Sequence, residues 1–440
     1  MKKMDNISKN SKDKILEAKK IIKQEKRKLR KRRIRNFKKS KLFSVISGNK
    51  DNYSFSEVFS VVLVSLVLGV FVCMTIFTII FGGRNYFKFI KNFNKLYDVY
   101  EVLSDNYNGN VKKSELFDAA ISGMVSSIGD VYTNYGNSED AANFDDLVNG
   151  TYEGIGCTIM QDKDSISIAE VYENTPAAKA GLKKDDIIKS VDGKDALEMG
   201  VTKLSNYIRT ESNGKVTMIV IREGKEITIK LERQKVEVPT ITSKVYEENG
   251  KKIGYINISI FSSISTKQFK KELKALDKKK IDGLIIDVRG NSGGYLSTVT
   301  DIASLILPKG KVIYQTQKGK KKTATKDKTV ECEEYPIAIL VNSGSASASE
   351  ILAGAIKESY KGYVVGTKTY GKGTVQQVRK LSDGSMIKYT AQNWLTPTGN
   401  WINEVGISPT NEVVMNDEYF KDPKEENDNQ LKKALELVSK

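Results

Sequence analysis

From Val58 to Gly83 the chain carries no charged residue, and no other feature constrains its architecture as much. The run VFSVVLVSLVLGVFVCMTIFTIIFGG is long enough to cross a bilayer as one helix. Glu57 precedes it and Arg84 follows it. A cleaved signal peptide has a shorter apolar core nearer the N-terminus, so a retained single anchor is expected over 58–83. Residues 1–50 hold 20 Lys+Arg against 4 Asp+Glu. That excess predicts a cytoplasmic tail at 1–57 and places 84–440 on the far side of the cytoplasmic membrane. Of the formal net charge of +17, all but +1 lies in those first fifty residues. Nucleic-acid binding by the globular part therefore has little electrostatic support. The basic run KQEKRKLRKRRIRNFKK is expected to rest on anionic lipid headgroups.

Beyond the apolar run the sequence changes character twice. Residues 84–150 read as mostly helical, with apolar residues at three- and four-residue spacing in YFKFIKNFNKLYDVYEVLSDNY and a Ser cap before ELFDAAISGMVSSIG. DVYTNYGNSED reads as a loop. Over 152–235, short alternating runs such as SISIAEV, VTMIVIR and EITIKLER predict strands separated by turns. Pro176 opens a short helix that Gly181 ends. From 236 to 440 strands and helices alternate: KIGYINISI, STKQFKKELKALDKK with a Ser cap, GLIIDVRG, TVTDIASLIL, YPIAILVN, SEILAGAIKESY and GYVVGT. The expectation is an α/β layered core with helices on a largely parallel sheet (α+β overall for the whole chain), and an exposed loop or hairpin at KGKKKTATKDKTVECEE.

Three cysteines and no histidine narrow the chemistry. Cys73 lies in the apolar run, Cys157 and Cys332 are a candidate but unsupported disulfide, and HExxH-type zinc hydrolysis is excluded. VNSGSASASE, residues 341–350, lies between a strand and a helix, where a serine nucleophile could sit. With no histidine its base must be a carboxylate or a lysine. A lysine base must be neutral, and bringing its pKa from about 10.4 to neutrality costs about 4 kcal/mol. Burial in an apolar pocket can supply that. Lys372, between Gly371 and Gly373, has an unusual setting for a solvated lysine. DVRGNSGGYLS ends a buried strand with a glycine pair and could present backbone N–H groups to a developing oxyanion. SASE also fits a capping box, with Ser347 as the cap and Glu350 reaching back to its amide. Ser343, Ser345 and Ser349 have only structural readings.

DVRGNSGG, NSGSASASEILAGAIKE and VVGTKTYGKGTVQ together resemble the carboxyl-terminal (tail-specific) processing proteases, Ser-Lys peptidases with an inserted PDZ domain. GMVSSIGDVYTNY, YEGIG, TPAAKAGL, TPTGNWINEVGISP and NQLKKALELV follow in that family's order, from YEVLSDNY to the end of the chain. The resemblance implies Ser347 as nucleophile, Lys372 as general base and Gln376 as the residue that orients the lysine. It implies an oxyanion hole from the Ala348 N–H and one of Gly293 or Gly294. Glu358 stands where the family commonly has Asp and is a secondary candidate. Residues 152–235 resemble a PDZ domain. Gly154, Ile155, Gly156 and Cys157 match the loop whose amides receive a peptide's terminal carboxylate. Asp185 replaces the usual Gly before the Asp of that domain's GDxI pattern, and Asp tolerates positive φ well.

The expected protein is a single-pass serine endopeptidase that cleaves proteins near their C-termini, with no cofactor or metal. Its partners would be protein tails and the bilayer, with segments 85–110 and 425–440 as candidate homodimer elements. Two alternatives remain at this point: a catalytically silent PDZ scaffold that only binds tails, and another acyl-transfer enzyme on a similar core.

Overall fold

The computed structural model describes residues 23–36, 54–80, 86–211, 214–327 and 334–440. They fall into two compact units, Met1–Lys113 and Ser114–Lys440. Cys332 lies outside the described residues, as do the rest of the basic tail and residues 81–85.

In the first unit, residues 23–36 of the basic run form an exposed helix. One helix among the described residues is long and apolar enough to cross a membrane, Phe55–Thr78, with mean hydropathy 2.7. It starts before the uncharged run, so Glu57 lies in its first turn instead of flanking it, and takes the Ser54 N–H at 3.1 Å. Three of its hydroxyls are satisfied internally, as hydrocarbon would require. Ser60, Thr75 and Thr78 donate to the carbonyls of Ser56, Phe71 and Met74 at 2.6–2.7 Å. The helix Tyr86–Asn106 follows.

The second unit is built on a six-stranded sheet whose neighbours follow chain order. They are β1 (Ile241–Glu248), β2 (Lys251–Ile258), β3 (Gly283–Asp287), β4 (Ile337–Val341), β5 (Tyr363–Gly366) and β6 (Asn411–Glu412). β1 and β2 form an antiparallel hairpin, and every later pairing is parallel. GLIID and IAILV are buried at every position, the pattern of strands covered on both faces. Alternate residues serve different cores. Ile286, Ile339 and Val364 pack with Phe269 of α1 (Ser265–Lys278), Val299 of α2 (Leu296–Ser304) and Leu352 of α3 (Ala348–Ala355). Ile285, Leu340 and Val365 pack with Leu431 and Val438 of α4 (Asn429–Val438). The layered α/β core expected from the alternation is thus present.

Several local expectations are corrected. Ser265 does not cap α1: Ile264 holds that position, and the buried Ser265 hydroxyl bonds Ser262, Thr240 and the Ile260 carbonyl. DVYTNYGNSED is more than a loop. Asn134–Gly136 is a strand, and Asn137 caps the helix Ser138–Asn149. That strand joins a second, five-stranded antiparallel sheet with Val312–Lys318, Lys321–Lys326, Thr374–Lys380 and Met386–Leu395.

Residues 151–237 leave and rejoin the core through one antiparallel pair, Thr151–Gly154 with Gln234–Glu237. Inside lies a separate antiparallel sheet of Cys157–Gln161, Ile166–Val171, Ile187–Val191, Lys215–Arg222 and Lys225–Glu232, with Cys157–Gln161 at its edge. Thr175 caps the helix that Pro176 opens, and Asp185 takes φ 68° as its turn requires. Asp186 is buried and paired in a fork with Arg222, Nε to Oδ1 at 2.6 Å and Nη2 to Oδ2 at 2.7 Å.

Candidate active site

The loops DVRGNSGG, NSGSASASE and GTKTYGKG leave the C-terminal ends of three adjacent parallel strands, β3, β4 and β5. Ligands of open α/β sheets bind at that edge. Side chains stitch the loops together. Ser345 Oγ donates to the Val288 carbonyl and Ser349 Oγ to the Asn291 carbonyl, both at 2.8 Å, and Asn342 Oδ1 accepts the Gly290 N–H. Ser345 and Ser349 thus make the loop hydrogen bonds expected of their structural reading.

Ser347 sits at the N-terminus of α3 with φ 53° and ψ −110°. A non-glycine residue there stores roughly 1–3 kcal/mol of strain. Glu350 explains how that conformation is held. Its carboxylate is fully buried. Oε2 accepts from Ser347 N at 2.8 Å and Lys372 N at 2.9 Å, and Oε1 from Gly371 N at 2.7 Å and Thr369 Oγ1 at 2.6 Å. One carboxylate thus fixes the main chain of both Ser347 and Lys372. The capping-box spacing signalled only the Ser347 half of this arrangement. The other half depends on β5 lying beside β4.

Lys372 is partly buried. Burial, then the positive charge of Lys388, pushes its pKa below the ordinary amine range, against the pull of Glu350 and Asp130. Its Nζ stands 4.7 Å from the centre of the Tyr132 ring. Among the described residues no hydrogen bond joins Lys372 to Ser347. Gln376 lies on the strand after Lys372, and its Nε2 donates to Thr374 and Thr390 hydroxyls at 2.9 and 3.3 Å. Glu358 is occupied elsewhere, accepting the Thr398 N–H and hydroxyl at 2.8 Å each.

The two candidate glycines differ. Gly293 is buried against Ser347, and a Cβ on it would meet Ser347 Cβ at 2.9 Å and Ala348 N at 3.1 Å. Its own N–H is already given to Asn291 Oδ1 at 2.8 Å. Gly294 is exposed, held by close packing on the Phe261 backbone.

In the inserted domain a cleft of about 470 Å³ lies along the edge strand and is lined by Gly154, Ile155, Cys157, Ile159, Val201 and Arg209 among others. Gly156 takes φ 87° and packs against Thr175, where any side chain would collide. The Arg209 guanidinium lies 5.5 Å from the Tyr152 ring centre and also bonds Asp146. Burial pushes the Cys157 thiol up to about 12. Arg209 had no signal in sequence beyond its type, and Tyr152 stood only as the first residue of YEGIG.

A segment of 351 residues, 79% of this chain, is 37% identical to the carboxy-terminal processing protease CtpB of Bacillus subtilis (strain 168) and covers 72% of it. The chain belongs to peptidase family S41. The S41 family pattern itself matches residues 252–413, a PDZ-domain pattern residues 167–223, and the pattern of the activating protease CtpB N-terminal domain residues 82–140. A Staphylococcus aureus (strain MRSA252) relative, provisionally named a CtpA-like serine protease, is 35% identical over 321 residues. That match takes in 72% of this chain and 64% of the relative, just under two thirds of its length. A Bacteroides fragilis crystal structure provisionally named an S41 protease shares the fold, with a TM-score of 0.50 at 15% identity over 73% of this chain and 90% of that one. The S41 assignment makes this a serine-type peptidase of the C-terminal processing group that carries a PDZ domain, and its substrates are proteins.

Proposed function

We propose that this S41 peptidase is a membrane-anchored endopeptidase that cleaves proteins near their C-termini, with Ser347 as nucleophile and Lys372 as general base. The observation that carries the reading is the Glu350 carboxylate, which holds the amides of both residues and so sets one beside the other. In this reading neutral Lys372 Nζ takes the Ser347 Oγ proton as Oγ attacks the scissile carbonyl carbon. The oxyanion accepts from the Ala348 N–H and from Gly294, chosen over Gly293 because the Gly293 N–H is already donated. The C–N bond then breaks, the leaving amine takes the proton from Lys372, and water releases the acyl group from Oγ. Lys372 must first approach Ser347, a tightening common when substrate binds. Gln376 acts from the strand behind Lys372.

The PDZ cleft receives the substrate's terminal residues as an added strand on Cys157–Gln161, with its carboxylate at Gly154–Cys157. The edge position of that strand and the cleft beside it support this. The helix Phe55–Thr78 supports a membrane anchor, and the tail's charge supports a cytoplasmic N-terminus near acidic headgroups. Ser347→Ala and Lys372→Ala, each in the full chain, are expected to abolish cleavage of a protein with an apolar free C-terminus. Parent-like turnover by either variant would end the assignment.

A further inference from the structure

The loop Asp130–Thr133 belongs to GMVSSIGDVYTNY, a stretch without a role in the chemistry above. It lies far from Lys372 in sequence, yet Tyr132 presents its ring to the Lys372 ammonium at 4.7 Å. The loop is pinned. Asp130 Oδ1 accepts the Tyr132 N–H at 3.0 Å, and Asp130 Oδ2 accepts the Thr133 hydroxyl at 2.6 Å. Thr133 Oγ1 in turn accepts the Thr390 N–H at 3.1 Å, tying the loop to the strand Met386–Leu395.

We propose that Tyr132 is a positioning residue whose ring face parks the Lys372 ammonium away from Ser347, so that cleavage requires the lysine to leave that face. This rests on the reading of Lys372 as the general base. A ring face attracts a cation and has no comparable hold on a neutral amine. It therefore favours the one form of Lys372 that cannot accept the Ser347 proton. The charged groups that face Lys372 are Asp130 and Glu350, which favour the ammonium, and Lys388, which disfavours it. Glu350 spends its oxygens on four other donors. The aromatic ring is the close partner left to Nζ among the described residues.

The test compares the full chain in detergent with Tyr132→Leu, Tyr132→Phe and Lys372→Ala. Leu keeps an apolar cover over the lysine but removes the ring face, and Phe keeps the face. Two quantities are followed against pH: kcat/KM, and the rate at which acetic anhydride labels Lys372, read by mass spectrometry. Only the neutral amine is labelled, so this second readout needs no catalysis. In Tyr132→Leu the labelling midpoint and the acid limb of kcat/KM should both move down by roughly 0.5–1.5 pH units, and in Tyr132→Phe both should stay where the parent has them. Tyr132→Met, also ringless, stands in if the Leu variant does not fold. A labelling midpoint that stays or rises without the ring overturns the proposal. So does a midpoint that falls while the kinetic limb stays. In that case turnover by Lys372→Ala would assign the failure to the base reading, and its loss would assign it to Tyr132.

Discussion

Replacing Glu350 by Gln tests whether one carboxylate organises both residues of the proposed dyad. The side chain keeps its size, but one acceptor oxygen becomes an NH₂ donor. Thr369 Oγ1 can adapt, since it would accept from the new NH₂, although it also receives the Ile407 N–H at 2.6 Å. Gly371 N cannot adapt and would face a donor. Ser347 N and Lys372 N would then keep only a neutral carbonyl. Losing one hydrogen bond to a charged group costs about 1.5–3 kcal/mol, and weakening the others brings the total to about 3–5 kcal/mol. Much of that is expected to appear as displacement of Ser347 and Lys372, because the strained Ser347 backbone is held less firmly once its amide bonds a neutral carbonyl. A misplacement of about 1 Å costs roughly a hundredfold in rate. We therefore expect Glu350→Gln to lower kcat by about 10²–10³, leave KM for a tail reporter within about twofold, and lower the melting temperature. Steady-state kinetics on a protein ending in an apolar free carboxylate, together with thermal unfolding, gives all three. A kcat within threefold of the parent would refute the clamp, and a lowered melting point with normal kcat would reduce Glu350 to a packing role.

Ser347→Gly should be more stable than Ser347→Ala by about 1 kcal/mol in denaturant unfolding, because glycine relieves the positive φ and caps a helix better than alanine does. Equal stability would mean the strain is absent. Burial acts to raise the Asp186 pKa, but the hydrogen bonds from Arg222 hold it below the usual carboxylate range. Because the folded value is the depressed one, its contribution is present above the unfolded value near 3.9 and is lost as pH falls through the folded value. Asp186→Asn should therefore cost about 2 kcal/mol at pH 7, and the loss should vanish in strong acid; a deficit independent of pH would contradict this. The lowered Lys372 pKa predicts that kcat/KM rises with pH and levels off below the ordinary lysine range near 10.4. A rate already flat down to pH 5 would not fit a lysine base. Amidating the substrate's C-terminus should raise KM several-fold by removing the charge that the Gly154–Cys157 loop is proposed to bind, and an unchanged KM would remove that role.

What could be read in advance follows the range of each signal. Runs such as GLIID and IAILV are local, so β3 and β4 could be placed from sequence, and the parallel sheet followed from their alternation with helices. The capping box spans only the four residues Ser347–Glu350 and was legible for the same reason. The second sheet was not. NYG is too short to carry a strand pattern, and it exists because Met386–Leu395 offers it an open edge. Tyr132 reaches Lys372 only through that pairing, which sets Asn134 opposite Lys388. Ser265 shows the converse. Its spacing suits a cap, yet its hydroxyl is taken by the distant Thr240 and by Ser262 and Ile260 in the preceding loop, and Ile264 holds the cap position instead.

The proposed lysine base would also account for where Glu350 points. In a His-based triad a carboxylate bonds the base directly and favours its charged form. The same contact would harm a lysine, whose ordinary pKa is already too high, because an adjacent anion favours the ammonium. The carboxylate that SASE supplies is spent instead on three backbone N–H groups and a hydroxyl. It holds the main chain of the proposed base, while burial and Lys388 lower the pKa of Nζ. The missing histidine therefore changes more than the identity of the proton acceptor. With Lys372 as the proposed base, it moves the orienting carboxylate from the side chain of the base to its backbone.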